Sequence, residues 1–124
     1  MQLQIKTTGL TLTPDIDSYL RKKLVAIEKL LVEHPTAHLF VELAKASGHH
    51  EKGNIYKAEF TLRGPALSHR AVVEAAALLE AIDLGKDELV EEIRSAKDKR
   101  LAVFKRGAQK VKEMLHRFNP WSGE

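Results

Sequence analysis

Leu3 and Ile5 alternate with Gln2, Gln4 and Lys6, the period of a short strand with one apolar face, and Gly9 ends it. Thr13-Pro14-Asp15 then carries the marks of a helix start. Thr13 is an N-cap, Pro14 takes the first helical position and acids fill the first turn. Ile16, Leu20, Leu24, Ile27 and Leu31 follow at helical spacing, which predicts a helix to about Val32, closed by His34-Pro35. The pattern returns to period two over 36–45, with Leu39, Val41 and Leu43 on one side and His38, Phe40 and Glu42 on the other. A polar, glycine-bearing loop spans 46–54. The cleanest alternation lies in 55–63, with Tyr56, Ala58, Phe60 and Leu62 inward and Lys57, Glu59, Thr61 and Arg63 outward. Gly64-Pro65 turns the chain into a fourth strand over 66–73.

A second helix is expected to begin within 74–77 and to run past Ile93 to about Arg100. Leu78, Ile82, Leu89, Ile93 and Ala96 form its core stripe, flanked by Leu79 and Val90. Lys86 and Lys97 sit at the stripe's edge with stems placed to pack and amines to reach water. Gly85 lies inside this helix at a cost of about 1 kcal/mol relative to alanine, which suggests a close helix contact. Residues 101–118 extend or restart the helix, with Gly107 as the expected interruption, and Asn119-Pro120-Trp121 ends it irregularly. The fold class is therefore α+β, in two layers of order β-α-β-β-β-α. It has a four-stranded sheet with two helices on one face, because each strand shows one apolar and one polar side. The inner α-β-β-β-α run matches the layout of double-stranded-RNA-binding domains, an analogy of architecture alone.

Charge changes the picture of the second helix. Glu80, Asp83, Asp87, Glu88, Glu91 and Glu92 face one base, Lys86. From Ile93 to Lys112 there are eight bases, Arg94, Lys97, Lys99, Arg100, Lys105, Arg106, Lys110 and Lys112, against Asp98, a net of +7. The whole-chain charge of +3 conceals this segregation, and a segregated basic block is the electrostatic footprint of an anionic partner. Arg21, Lys22 and Lys29 fall within about a quarter turn of each other on the first helix, away from its apolar stripe, and form a second basic patch. The division expected is an α+β domain over 1–100 and a basic, partly helical extension over 101–124.

Catalytic chemistry has little support. The chain lacks cysteine, which removes disulfides and thiolate nucleophiles, and it carries no phosphate-loop, dinucleotide, serine-elbow or zincin signature. His49-His50-Glu51 are adjacent in the polar loop, a poor arrangement for converging on one metal ion. His69 in the fourth strand is read as a surface or edge residue, and Asp87-Glu88 and Glu91-Glu92 as a solvated acidic face. No enzyme activity, cofactor, metal or small-molecule substrate is expected. No window approaches a membrane span and no apolar segment follows the start, so a cytoplasmic protein without membrane association is expected. Two function classes follow. One is an RNA-binding regulator. The other is a protein-interaction or regulatory module whose basic tail, with Phe118 and Trp121 as anchors, docks an acidic partner.

An ordered set of segments also resembles the ribosome hibernation promoting factor and ribosome-associated inhibitor A family, in its short form. It comprises Leu3-Gln4-Ile5-Lys6, Leu12-Thr13-Pro14, Tyr19-Leu20-Arg21-Lys22-Lys23-Leu24 and Ile27-Glu28-Lys29-Leu30. Tyr56 through Leu62, Ala81-Ile82-Asp83-Leu84, Asp87-Glu88-Leu89 and Ile93-Arg94 continue it, over about residues 1–100. The resemblance implies a domain that lodges in the channel of the small ribosomal subunit where messenger and transfer RNA sit. It would block translation sterically, as part of a stress response, without catalysing a reaction. It further implies ribosomal RNA contacts by Arg21, Lys22 and Lys29 of the first helix and by Arg94, Lys97 and Arg100 of the second, to which the charge pattern adds Lys105 and Arg106. The chain departs from the family pattern at Glu88 and Glu91, where members often carry bases, which moves the weight of RNA contact to Arg94 onward. It also replaces the usual tyrosine before Ala81-Ile82-Asp83 by Leu79-Glu80.

Overall fold

Thr13 does what its position in the sequence suggests. Its hydroxyl accepts a hydrogen bond from the Ile16 amide at 3.3 Å, and Pro14 opens helix α1, Pro14–Leu30. In a computed structural model of the chain, residues 1–46 and 53–118 are described, with the Phe118 side chain excepted. Strands β1 (Gln2–Thr8), β2 (His38–Ala46), β3 (Ile55–Gly64) and β4 (Leu67–Ala75) and helix α2 (Leu78–Phe118) complete the order β-α-β-β-β-α. The sheet runs β1-β2-β3-β4. β1 pairs parallel with β2 across the α1 crossover, and the other two pairs are antiparallel.

Register explains the core. Ile5, Val41, Phe60 and Ala71 lie in one row across the sheet, and Leu3, Leu39, Leu62 and His69 lie in the next row of the same face. This face meets Leu20, Leu24, Ile27 and Leu31 of the first helical segment and Ala81, Ile82, Leu89 and Ile93 of α2, all buried in a single cluster. The opposite face carries Gln4, Phe40, Thr61 and Arg70 in one row and Lys6, Glu42, Glu59 and Val72 in another. Phe40 and Val72 are each 40% exposed there. The two-layer α+β expectation holds, with the helices on one face.

Element boundaries differ from the sequence reading in three places. Glu74 and Ala75 belong to β4, not to the second helix, because Lys57 and Tyr56 extend the β3 ladder to meet them. Ala66 is in the turn, not the strand. Pro65 sets the first corner and Ala66 takes the second at φ 58°, a left-handed position usually given to glycine or asparagine. Gly107 interrupts nothing. α2 is continuous over 41 residues, since one glycine costs about 1 kcal/mol and still adopts helical angles, and no proline occurs between its ends.

Gly85 is where the helix is fitted to the sheet. A Cβ there would lie 2.5 Å from Phe60 Cε2 and 3.0 Å from Cδ2, so the close contact expected of this glycine is with the sheet, not another helix. Gly9, at φ 72°, turns the chain out of β1, and a Cβ there would meet the Lys45 carbonyl oxygen at 2.7 Å. The chain packs as two units, Met1–Ile93 and Arg94–Glu124.

Candidate nucleic-acid interface

Helix α1 turns its apolar stripe to the sheet, which leaves Arg21, Lys22 and Lys29 exposed. Arg21 is tied to Asp17, one turn earlier, by Nε–Oδ distances of 3.0 and 3.1 Å. Lys22 and Lys29 form no ion pair among the described residues. They are therefore free to give phosphate contacts without first breaking an internal pair.

The other five candidates all lie on α2 within the second unit. Arg94, Lys97, Arg100, Lys105 and Arg106 are exposed. None of them forms an ion pair among the described residues. Glu88 and Glu91, which precede this block, are exposed too, so the reversal of sign read from the sequence is a reversal on the surface of one continuous helix. On the open face of the sheet the charges instead neutralise one another. Arg70 Nη2 donates to Glu59 Oε1 at 2.6 Å, and Lys6 stands 3.9 Å from Glu42. Arg70 holds the Glu59 carboxyl below the usual carboxylate range. A polyanion gains more from the unpaired cations of the helices than from that face.

Between α1 and the first turns of α2 lies a polar junction that sequence reasoning missed. Tyr19 Oη donates to Asp83 Oδ1 at 2.6 Å, and Lys23 Nζ stands 3.4 Å from the same oxygen and 5.3 Å from the centre of the Tyr19 ring. The phenol's hydrogen bond, with the Lys23 ammonium beside it, holds the Asp83 carboxyl below its ordinary pKa. The same hydrogen bond raises Tyr19, and the carboxylate raises Lys23. The signal was available: Tyr19 and Lys23 are one turn apart beside the apolar stripe of α1, so a polar pair there needs a partner from α2. The junction withdraws Lys23 from the set of free cations on α1.

His69 stands on the edge strand, one of the two places read for it, but its side chain is largely covered. Its β4 position shares the inward parity of Ala71, so the ring turns toward α2. There its side chain is 11% exposed and its Nδ1 lies 2.9 Å from Glu92 Oε1. A carboxylate oxygen only accepts, so Nδ1 carries the hydrogen. Glu92, its side chain 42% exposed, bonds His69 from the acidic face, on which Asp87, 64% exposed and 2.6 Å from Lys86, also lies. Lys86 packs its stem as read, its side chain 19% exposed and its amine paired with Asp87. Among the described residues no group of three or more His, Asp or Glu side chains is placed to hold a metal ion, and no helix is long and apolar enough to cross a membrane. His49-His50-Glu51 and Trp121 lie outside the described residues.

Comparison with known proteins gives the fold a context. The chain is similar to the N-terminal domain of Protein Y from Thermus thermophilus in its crystal structure, with 24% identity and a TM-score of 0.61. The match covers 77% of this chain and 98% of that one. It is similar at 17% identity and a TM-score of 0.61 to a ribosomal subunit interface protein from Coxiella burnetii, covering 79% of this chain and 99% of that one. Curated proteins give no match. The family profile described as sigma 54 modulation protein / S30EA ribosomal protein matches residues 3–101, from the second residue of β1 to Leu101 of α2. By that match the chain belongs to the sigma 54 modulation protein / S30EA ribosomal protein family.

Proposed function

We propose that this protein is a ribosome-binding translation inhibitor, a hibernation factor that occupies the messenger and transfer RNA channel of the small ribosomal subunit through contacts to ribosomal RNA. The observation that carries this reading is the family match over residues 3–101, which spans every element of the first unit. The subunit-interface protein of the same fold supports it, as does the placement of unpaired bases on the helices while the open sheet face pairs its own charges. Inhibition is by occupancy. A folded domain seated where substrates bind excludes them, and no bond is made or broken, so the reading asks for no cofactor, metal or small-molecule substrate. The protein acts where ribosomes are, in the cytoplasm, as part of a stress response.

In this reading Arg21, Lys22 and Lys29 of α1 and Arg94, Lys97, Arg100, Lys105 and Arg106 of α2 contact RNA phosphates. If about six phosphates are engaged, log affinity for ribosomal RNA falls with log salt at a slope of about −5. A flat salt response overturns the RNA assignment of these residues. Reversing charge at Arg94, Lys97 and Arg100 is expected to abolish binding while unfolding stays cooperative, because all three are exposed. Undiminished binding by that variant would move the interface elsewhere.

A further inference from the structure

From Lys97 to Arg117 every residue of the helix is exposed, yet its sequence keeps an apolar stripe. Leu101, Phe104, Ala108, Val111 and Leu115 succeed one another at intervals of three, four, three and four residues. That is the repeat of a coiled-coil seam, in which successive knobs face one partner helix. The large side chains of the seam are bare: Leu101 is 50% exposed, Phe104 72%, Val111 55% and Leu115 67%. Phe104, Gly107, Ala108, Val111 and Leu115 line one shallow groove, to which Gly107 contributes no side chain. Counting back from Leu101, the next two seam positions are Lys97 and Arg94, so the seam begins at Leu101, where the family match ends.

The charges beside the seam select the partner. Arg100 occupies the flanking position on one side, and Lys105 and Lys112 occupy it on the other. None of the three forms an ion pair among the described residues. In a parallel pair of two copies, Arg100 would face Lys105 of the other copy, and in an antiparallel pair flanking bases would again meet bases. Self-association therefore sets like charges across the seam, whereas a helix with acidic flanks sets opposite ones. Lys99, Arg106 and Lys110 lie around the far side of the helix, so a partner seated on the seam leaves them exposed.

We propose that the segment from Leu101 to Leu115 is a docking helix for an acidic amphipathic helix of another protein. The partner would pack an apolar heptad seam against Leu101, Phe104, Val111 and Leu115 and place carboxylates against Arg100, Lys105 and Lys112. This inference shares Arg100 and Lys105 with the ribosome-binding reading but rests on the apolar seam, and its test contains no RNA, so the two can fail separately.

The probe is a designed peptide of about four heptads with leucine at the seam positions and glutamate at the flanks. It is titrated into the full-length protein by calorimetry, beside a peptide of the same composition with scrambled order. The heptad peptide is expected to bind and the scrambled one to bind at least about tenfold more weakly. Raising salt from about 50 to about 500 mM is expected to weaken the heptad complex several-fold, since the flanking pairs are screened. Val111→Ser is expected to cost about tenfold in affinity, whereas Val103→Ser, the same change at a similarly exposed valine off the seam, is expected to leave it unchanged. Circular dichroism checks that both variants keep their helix. The proposal is overturned by absent binding at about 0.1 mM peptide, by equal affinity for the scrambled peptide, or by equal effects of the two variants. It is also overturned if the free protein dimerises through the seam, or if anionic lipid vesicles capture it while the heptad peptide does not.

Discussion

Gly85 and Gly107 sit in the same helix, and changing each to alanine is expected to lower the stability of the fold at the first and to raise only local helix stability at the second. Alanine gains about 1 kcal/mol over glycine in a helix interior from propensity alone. At Gly107 nothing lies within 4 Å of the new Cβ, so the gain is realised in full. At Gly85 the Cβ would stand 2.5 Å from the edge of the Phe60 ring, about 1 Å inside ordinary carbon–carbon contact. Phe60 is wholly buried and has no open side to retreat to. Overpacking of this kind costs about 1–3 kcal/mol, which leaves Gly85→Ala a net loss of about 1 kcal/mol and a fall in Tm of about 4–8 °C. Urea and thermal unfolding followed by circular dichroism measure it. Gly107→Ala is expected to leave that transition in place and to raise helical content and amide protection in the second half of α2. A cycle with Phe60→Leu isolates the cause, because the smaller side chain is expected to cost less in the Gly85→Ala background than alone. A higher midpoint for Gly85→Ala, or strict additivity with Phe60→Leu, would refute the close-contact reasoning.

Three further outcomes are expected. Asp83 and Glu59 have lowered carboxyl pKa values, so the stability they supply is present above the usual carboxylate pKa and is lost as pH falls through their lowered values; Tyr19 and Lys23, both raised, give stability that is present below about pH 10 and lost as pH rises through theirs. Tyr19→Phe should therefore lower the urea midpoint at about pH 7, with a difference from the wild type that narrows as pH falls through the lowered Asp83 value, and a constant difference would show that the Asp83 bond is not its source. Ala66→Gly relieves a left-handed residue in the β3–β4 turn and is expected to stabilise by about 1 kcal/mol in urea unfolding, a loss being the contrary result. His69→Ala removes the bond from β4 to Glu92 and is expected to cost about 1 kcal/mol, part of it recovered when Glu92→Ala is added.

What could be read in the sequence and what could not divide along physical lines. The α1 start was legible because Thr13, Pro14 and the first-turn acids act locally, and β3 because alternation is strict from Tyr56 to Leu62. The β4–α2 boundary was not. Ala75, Ala76 and Ala77 suit strand and helix alike, and only the ladder to Tyr56 and Lys57 assigns Ala75 to the sheet. His69 misled because a polar residue at an inward position is unreadable until its partner, 23 residues on, is known. The candidate RNA-binding bases were legible as charge, since like charges on a helix stay exposed wherever the helix packs. Tyr19 and Lys23 beside the apolar stripe signal a partner on α2, but that the partner is Asp83 depends on how the two helices meet.

The central claim is that this protein binds the small ribosomal subunit, and co-sedimentation tests it most directly. The full-length protein is mixed with purified small subunits, spun through sucrose at low salt and sought in the subunit fraction. It is expected there at low salt, displaced as salt rises, and absent when Arg94, Lys97 and Arg100 are reversed in charge. Absence of the unaltered protein from the subunit fraction at low salt would contradict the claim.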